Sequence, residues 1–204
     1  MRLFVINFIL AFTLGLSLGC SKGVSSLSDK DCLDSLSKAN SYLNEYFIDG
    51  NEENLRFSLS MVDSVFMLCP DNKGQLINLK ITLFMLLKDY EKGFEFVSSL
   101  EANRFEKPYQ RNMYLKTFKA LSYEVKGDTL NRDEVLKDIV GEIQNYVNDN
   151  PTEKTAITDL FYIKIRFKSK EDVIEEINRM QKNTMADKEF YEALKESIKL
   201  APNS

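Results

Sequence analysis

Histidine and tryptophan are absent from this chain of 204 residues, and cysteine occurs only three times, proline four and glycine eight. The missing imidazole excludes Ser-His-Asp and Cys-His catalysis, HExxH zinc hydrolysis and any histidine metal cage. There is no CxxC pair, no phosphate-cradling glycine loop and no EF-hand loop. Lys and Arg number 27 against 31 Asp and Glu, a net charge of −4 with a pI near 5.1. That balance argues against a nucleic-acid binder, which needs a basic footprint to displace counterions from phosphates. What is present is a globular composition, 44% apolar and 28% charged, in a chain long enough to bury a real core.

The first twenty residues stand apart. Arg2 is followed by an apolar stretch over 3–18 that only Asn7, Thr13, Gly15 and Ser17 interrupt. As a helix this stretch spans ~24 Å, short of the ~30 Å hydrocarbon core, so it reads as a secretory signal rather than a permanent span. The alternative is an uncleaved anchor helix. Its end, Leu16-Ser17-Leu18-Gly19-Cys20, resembles the lipobox of bacterial lipoproteins, with Ser17 and Leu18 transposed relative to the usual order. The resemblance implies a signal peptide over 1–19 and a lipid on Cys20. A multiply acylated cysteine anchors stably, each buried CH₂ contributing ~0.8 kcal/mol. Ser21 rather than Asp follows the cysteine, which in many relatives implies outer-membrane delivery, and the small polar residues 21–28 suit a flexible tether.

From Asp29 onward the apolar spacing is helical, and the predicted fold class is all-α. Cys32, Leu36, Leu43 and Phe47 mark one stripe, and Leu55, Leu59, Val62, Phe66 and Cys69 the next, with a turn at Asp49-Gly50-Asn51. A second pair carries Ile77, Ile81 and Phe84, then Phe94, Val97 and Leu100. A third carries Tyr114, Phe118, Leu121 and Val125, then Leu136, Ile139, Ile143 and Tyr146. Asn131 with Glu134 reads as a capping box, and Pro151 as the first residue of the following helix. Val173, Ile177 and Met180, then Phe190, Leu194 and Ile198, mark the last segments. The run at 76–87, broken by Asn78, Lys80 and Thr82, reads as a central, largely buried helix. Residues 162–168 alternate apolar and basic at the period of a strand, but a lone strand would lack a partner, so the segment is read as helix.

Leu87-Lys88-Asp89-Tyr90-Glu91-Lys92-Gly93 resembles the inter-helix turn of tetratricopeptide repeats, written G-D-Y-x-x-A. Ala120, Tyr123, Gly127 and Asp128 match the same motif, and Cys69-Pro70-Asp71-Asn72 its closing D-P-N. Gly93 replaces the usual alanine, the turn at 128–134 is lengthened, and 156–200 match poorly. The resemblance covers residues 30–150. It implies an α-solenoid of stacked antiparallel helix hairpins, with one helical domain over 29–200 and a short tail at 201–204. An irregular helical bundle of the same hairpins is the alternative.

Cys32 and Cys69 lie equally far in sequence from the centre of the Gly50–Asn51 turn. With equal rise in two antiparallel helices they come opposite each other, on the apolar stripes. An exported chain meets oxidising conditions, so a Cys32–Cys69 disulfide is expected, the alternative being two buried free thiols.

No catalytic constellation emerges. Glu171, Asp172, Glu175 and Glu176 form an acidic cluster, but Glu175 faces Arg179 at i+4 and Lys168, Lys170 and Lys182 flank it, the pattern of a solvated face. No cofactor or metal is implied. Repeat stacks bind proteins along a concave face, onto which the register projects Asn78, Thr82, Met85, Tyr114, Thr117 and Glu124. The expected function is therefore a lipid-anchored scaffold or adaptor that binds a protein or peptide partner in the bacterial envelope. It is not an enzyme on this reading. An immunity-type lipoprotein that neutralises a toxin and a peptidoglycan-acting enzyme are the alternatives.

Overall fold

The computed structural model describes residues 28–69, 73–183 and 187–201. The proposed signal segment, Cys20 and the tether lie outside the described residues, apart from Ser28. Among the described residues there are nine α-helices, one short 3₁₀ turn and no strand. The chain divides into two compact units, one ending at Pro108 and one beginning at Tyr109.

The first unit holds α1 (Asp29–Asp49), α2 (Glu52–Val65), α3 (Lys73–Leu86) and α4 (Tyr90–Ser98), followed by a 3₁₀ turn at Ala102–Arg104. Each helix begins or ends where local chemistry dictates. Ser28 caps α1 by accepting from the Asp31 N–H at 3.2 Å, and Gly50 closes it in the left-handed region at φ 71°. Asn51 then caps α2 through the Glu53 N–H at 3.1 Å. Ala39 and Ser58 let α1 and α2 approach closely, and the Ser58 hydroxyl donates to the Ala39 carbonyl at 2.8 Å. Around this contact Cys32, Leu36, Leu43, Leu55, Val62 and Cys69 pack against Leu76, Leu79 and Leu83 of α3. Burying each leucine contributes ~2 kcal/mol. Cys32 and Cys69 form a disulfide with Cα atoms 5.7 Å apart, as the hairpin register predicts.

The apolar run at 76–87 is the largely buried helix α3, and no described helix is long and apolar enough to cross a membrane. Lys80, which breaks the run, sits 2.6 Å from Asp63 and 4.5 Å from the centre of the Phe96 ring. Phe66 and Phe84 each approach that same ring edge-on or tilted. An aromatic face and a carboxylate together offset the cost of enclosing an ammonium. The sequence stripe assigned to α4 needs one correction. Phe94 is 43% exposed, because Gly93 and Val97 form the buried edge of α4 and Phe96 joins the aromatic cluster instead.

The second unit holds α5 (Gln110–Val125), α6 (Thr129–Asp149), α7 (Lys154–Lys164), α8 (Lys170–Asn183) and α9 (Lys188–Leu200). The capping box expected at Asn131 is not the start of α6. Asp128 caps the helix by accepting from the Asn131 N–H at 3.2 Å, so the 128–134 segment is helical from Thr129 rather than a lengthened turn. Likewise Pro151 lies in the turn before α7, whose N-cap is Glu153. Val125, assigned to the apolar stripe, is exposed at the end of α5.

Residues 154–164 are helix and 165–167 a turn, which resolves the alternating segment without a strand. The strand-like alternation has a simple cause. α7 packs against α6, α8 and α9, so every residue from Asp159 to Lys164 is buried and no polar face is left to mark the helical period. Its basic residues find carboxylates: Lys164 and Lys168 on one side and Arg166 on another. Phe161, Ile177, Tyr191 and Ile198 are fully enclosed in this unit.

Two turns repeat one geometry. After α3, Lys88 is left-handed at φ 57°, and the Asp89 N–H donates to the Phe84 carbonyl at 2.9 Å. After α5, Gly127 is left-handed at φ 72°, and the Asp128 N–H donates to the Tyr123 carbonyl at 3.0 Å. The Lys88 and Gly127 N–H groups each reach back three residues, to Met85 and Glu124. This is the Schellman arrangement, with the orphan carbonyls of each helix end satisfied in the same order.

Candidate functional site

The six residues expected on a partner-binding face fall into both units. Asn78, Thr82 and Met85 lie along α3 at i, i+4 and i+7 and are half-buried. Tyr114 and Thr117 are only 3% and 5% exposed. The Thr117 hydroxyl donates to the Met113 carbonyl at 2.7 Å, within its own helix. Their side chains are therefore not available to a partner in this conformation. Glu124 is exposed at the end of α5 and accepts from Arg166 at 3.0 Å.

The acidic cluster of α8 separates by environment. Glu175 and Arg179 are exposed and 3.9 Å apart, the i,i+4 pair expected of a solvated face. Glu176 instead accepts from both Lys164 and Lys168, each at 2.6 Å. Burial acts to raise the Glu176 carboxyl, but the two lysine hydrogen bonds outweigh it and hold the group below the ordinary glutamate value. A carboxyl held ionised in this way is the reverse of the raised acid that protonates a glycosidic oxygen.

Glu176 belongs to a groove that the sequence did not reveal. Three successive helices of the second unit line it, enclosing a volume of about 510 Å³ that opens to solvent. α7 packs against both α6 and α8, so its Phe161 and Lys164 form the floor. Gln144, Val147 and Asn148 supply the α6 wall, and Glu176, Arg179 and Met180 the α8 wall. Within the α6 wall the Gln144 side-chain amide donates to the side-chain oxygen Oδ1 of Asn148 at 3.0 Å. Lys164 lies across the Phe161 ring, 5.1 Å from its centre, with a side chain 9% exposed. The signal in the sequence was the i, i+3, i+4 spacing on α6 and α8, but nothing local says that these two faces look onto the same space.

A second polar feature of this unit is buried. The Tyr109 hydroxyl donates to the Asp159 carboxylate at 2.8 Å, and both residues are enclosed. Burial, reinforced by the Asp159 charge, pushes the Tyr109 phenol far above its ordinary range. The hydrogen bond ties the start of α5 to α7.

No known protein family, curated protein or solved structure matches this chain.

Proposed function

We propose that this chain is a lipid-anchored protein of the bacterial envelope whose helix hairpins serve as a docking surface for a protein partner. The distribution of the cysteines carries the reading. Cys32 and Cys69 are joined in the core, which suits an oxidising compartment, and the remaining Cys20 ends an apolar segment built like a lipoprotein signal. The tetratricopeptide-like part of the proposal draws support from the two matching turns. Lys88 takes the left-handed conformation at the place where the repeat motif has glycine, and Gly127-Asp128 repeats that geometry with the motif residues themselves.

The anchor is tested by feeding a bacterial expression host an alkyne fatty acid and fractionating its membranes. The wild-type chain takes up label and sediments with the membrane, and Cys20→Ala loses both. Label retained by Cys20→Ala rejects the anchor. Crosslinking in intact envelopes tests the scaffold: a reproducible protein adduct supports it, and its absence together with muropeptide binding removes it.

A further inference from the structure

We infer that the Cys32–Cys69 disulfide is a redox latch on the first unit alone: its reduction by a dithiol loosens the helices from Asp29 to Ser98 and leaves those from Gln110 to Leu200 folded. The inference rests on neither the lipid nor a partner.

Separate cores are the first requirement. In the first unit Leu43, Leu55, Val62, Leu76 and Leu83 belong to one continuous cluster drawn from α1, α2 and α3. In the second, α6 packs on α5 and α7, while α8 and α9 pack on each other and on α7. Each of these five helices encloses an apolar side chain completely: Phe118, Leu136, Leu160, Ile177 and Ile198. The second unit also secures its own first residue, since Tyr109 bonds to Asp159 and its ring lies 5.0 Å from that of Tyr146. Along the chain between Ser98 and Tyr109, residues 101–104 are exposed, and the 3₁₀ turn there has no side-chain cap. A core on each side of an exposed segment is the arrangement of units that open separately.

Magnitudes make the disulfide decisive for one unit. From Ser28 to Pro108 the first unit has about eighty residues, a size at which a core alone favours the folded state by roughly a hundredfold to a few thousandfold. Closing a loop of sequence separation 37 multiplies that ratio by roughly a thousand, so the cross-link contributes about as much as the core. No cysteine follows Cys69 in the sequence, and the second unit therefore offers a reductant no bond to break.

Burial sets how the latch opens. Cys32 and Cys69 are 3% and 1% exposed, so a reductant reaches them when α1 and the end of α2 part. Its thiolate attacks one sulfur, and the other cysteine leaves as a thiolate and takes up a proton. The second thiol of the reductant then displaces the attacked cysteine, giving two cysteine thiols and an oxidised dithiol. Without the cross-link the unfolded first unit regains its chain freedom, and the hairpin of α1 and α2 opens far more often.

The test is hydrogen exchange of the full chain in detergent, read by mass spectrometry of its peptides before and after dithiothreitol. Alkylation of a denatured aliquot scores the reduction. Reduction accelerates exchange across α1–α3 by at least about a hundredfold and leaves α5–α9 within about twofold of the oxidised protein. Cys32→Ser with Cys69→Ser gives the same pattern without reductant, and decides the matter if the buried bond resists dithiothreitol. Equal acceleration in both units, or loss of all protection in the variant, overturns the inference. So does unchanged exchange in α1–α3 once both thiols are free, or free thiols at both positions before reductant is added.

Discussion

Cys32 and Cys69 close a loop of sequence separation 37 around the first hairpin. On the chain-entropy estimate this cross-link stabilises the protein by about 4 kcal/mol. Cys32→Ser with Cys69→Ser should lower the denaturation midpoint accordingly in urea titrations, and added reductant should move the wild type to the same value and leave the variant unchanged. Glu176 predicts a pH dependence. Its folded-state carboxyl lies below the ordinary value of 4.5, so its stabilising contribution is complete above that value and is lost as pH falls through the lowered one. Thermal midpoints measured between neutral and strongly acid pH should therefore fall less steeply for Glu176→Gln than for the wild type. Both effects belong to single side chains whose partners are fixed by packing. Cys32 and Cys69 could be paired from the sequence because two antiparallel helices of equal rise leave little choice of register. Glu176 could not be told from Glu175 there, since adjacent positions on a helix differ only in which neighbour they meet.

The helices end by local rules, and those rules can be edited. Lys88 carries a side chain in the left-handed region, which costs ~1 kcal/mol relative to glycine. Lys88→Gly should thus raise the thermal midpoint of the protein, with the gain trimmed by the greater freedom of glycine in the unfolded chain. A lowered midpoint would mean that the Lys88 side chain contributes more than its backbone strain removes. The existence of the helices was legible from periodicity wherever a helix has one wet face, as in α1, α2 and α8. Starts were less legible. Asp128 and Asn131 are both competent caps, and the backbone chose Asp128 because Gly127 had already turned the chain. α7 is the extreme case, with buried residues on every side and so no period to read.

At the scale of the whole molecule, the proposed docking face depended on knowing which polar residues reach water. Tyr114 and Thr117 are polar-tipped residues at helical spacing and looked suited to a binding surface, yet both are buried. The groove draws its residues from α6, α7 and α8, three separate helices, so no local stretch of sequence carries it. The sequence by itself determined the all-α class, the hairpin turns at Gly50 and Gly127, and the Cys32–Cys69 pairing, because each follows from rise, periodicity or conformational preference over a few neighbouring residues. The missing histidine likewise removed imidazole chemistry without any structure. Only the tertiary structure decided that Lys80 would stand against Phe96, that Glu176 would take two lysines, and that α6, α7 and α8 would leave an open groove between them. Those outcomes depend on how helices cross and interlock, which is set by the shapes of distant side chains in contact and has no signature along the chain.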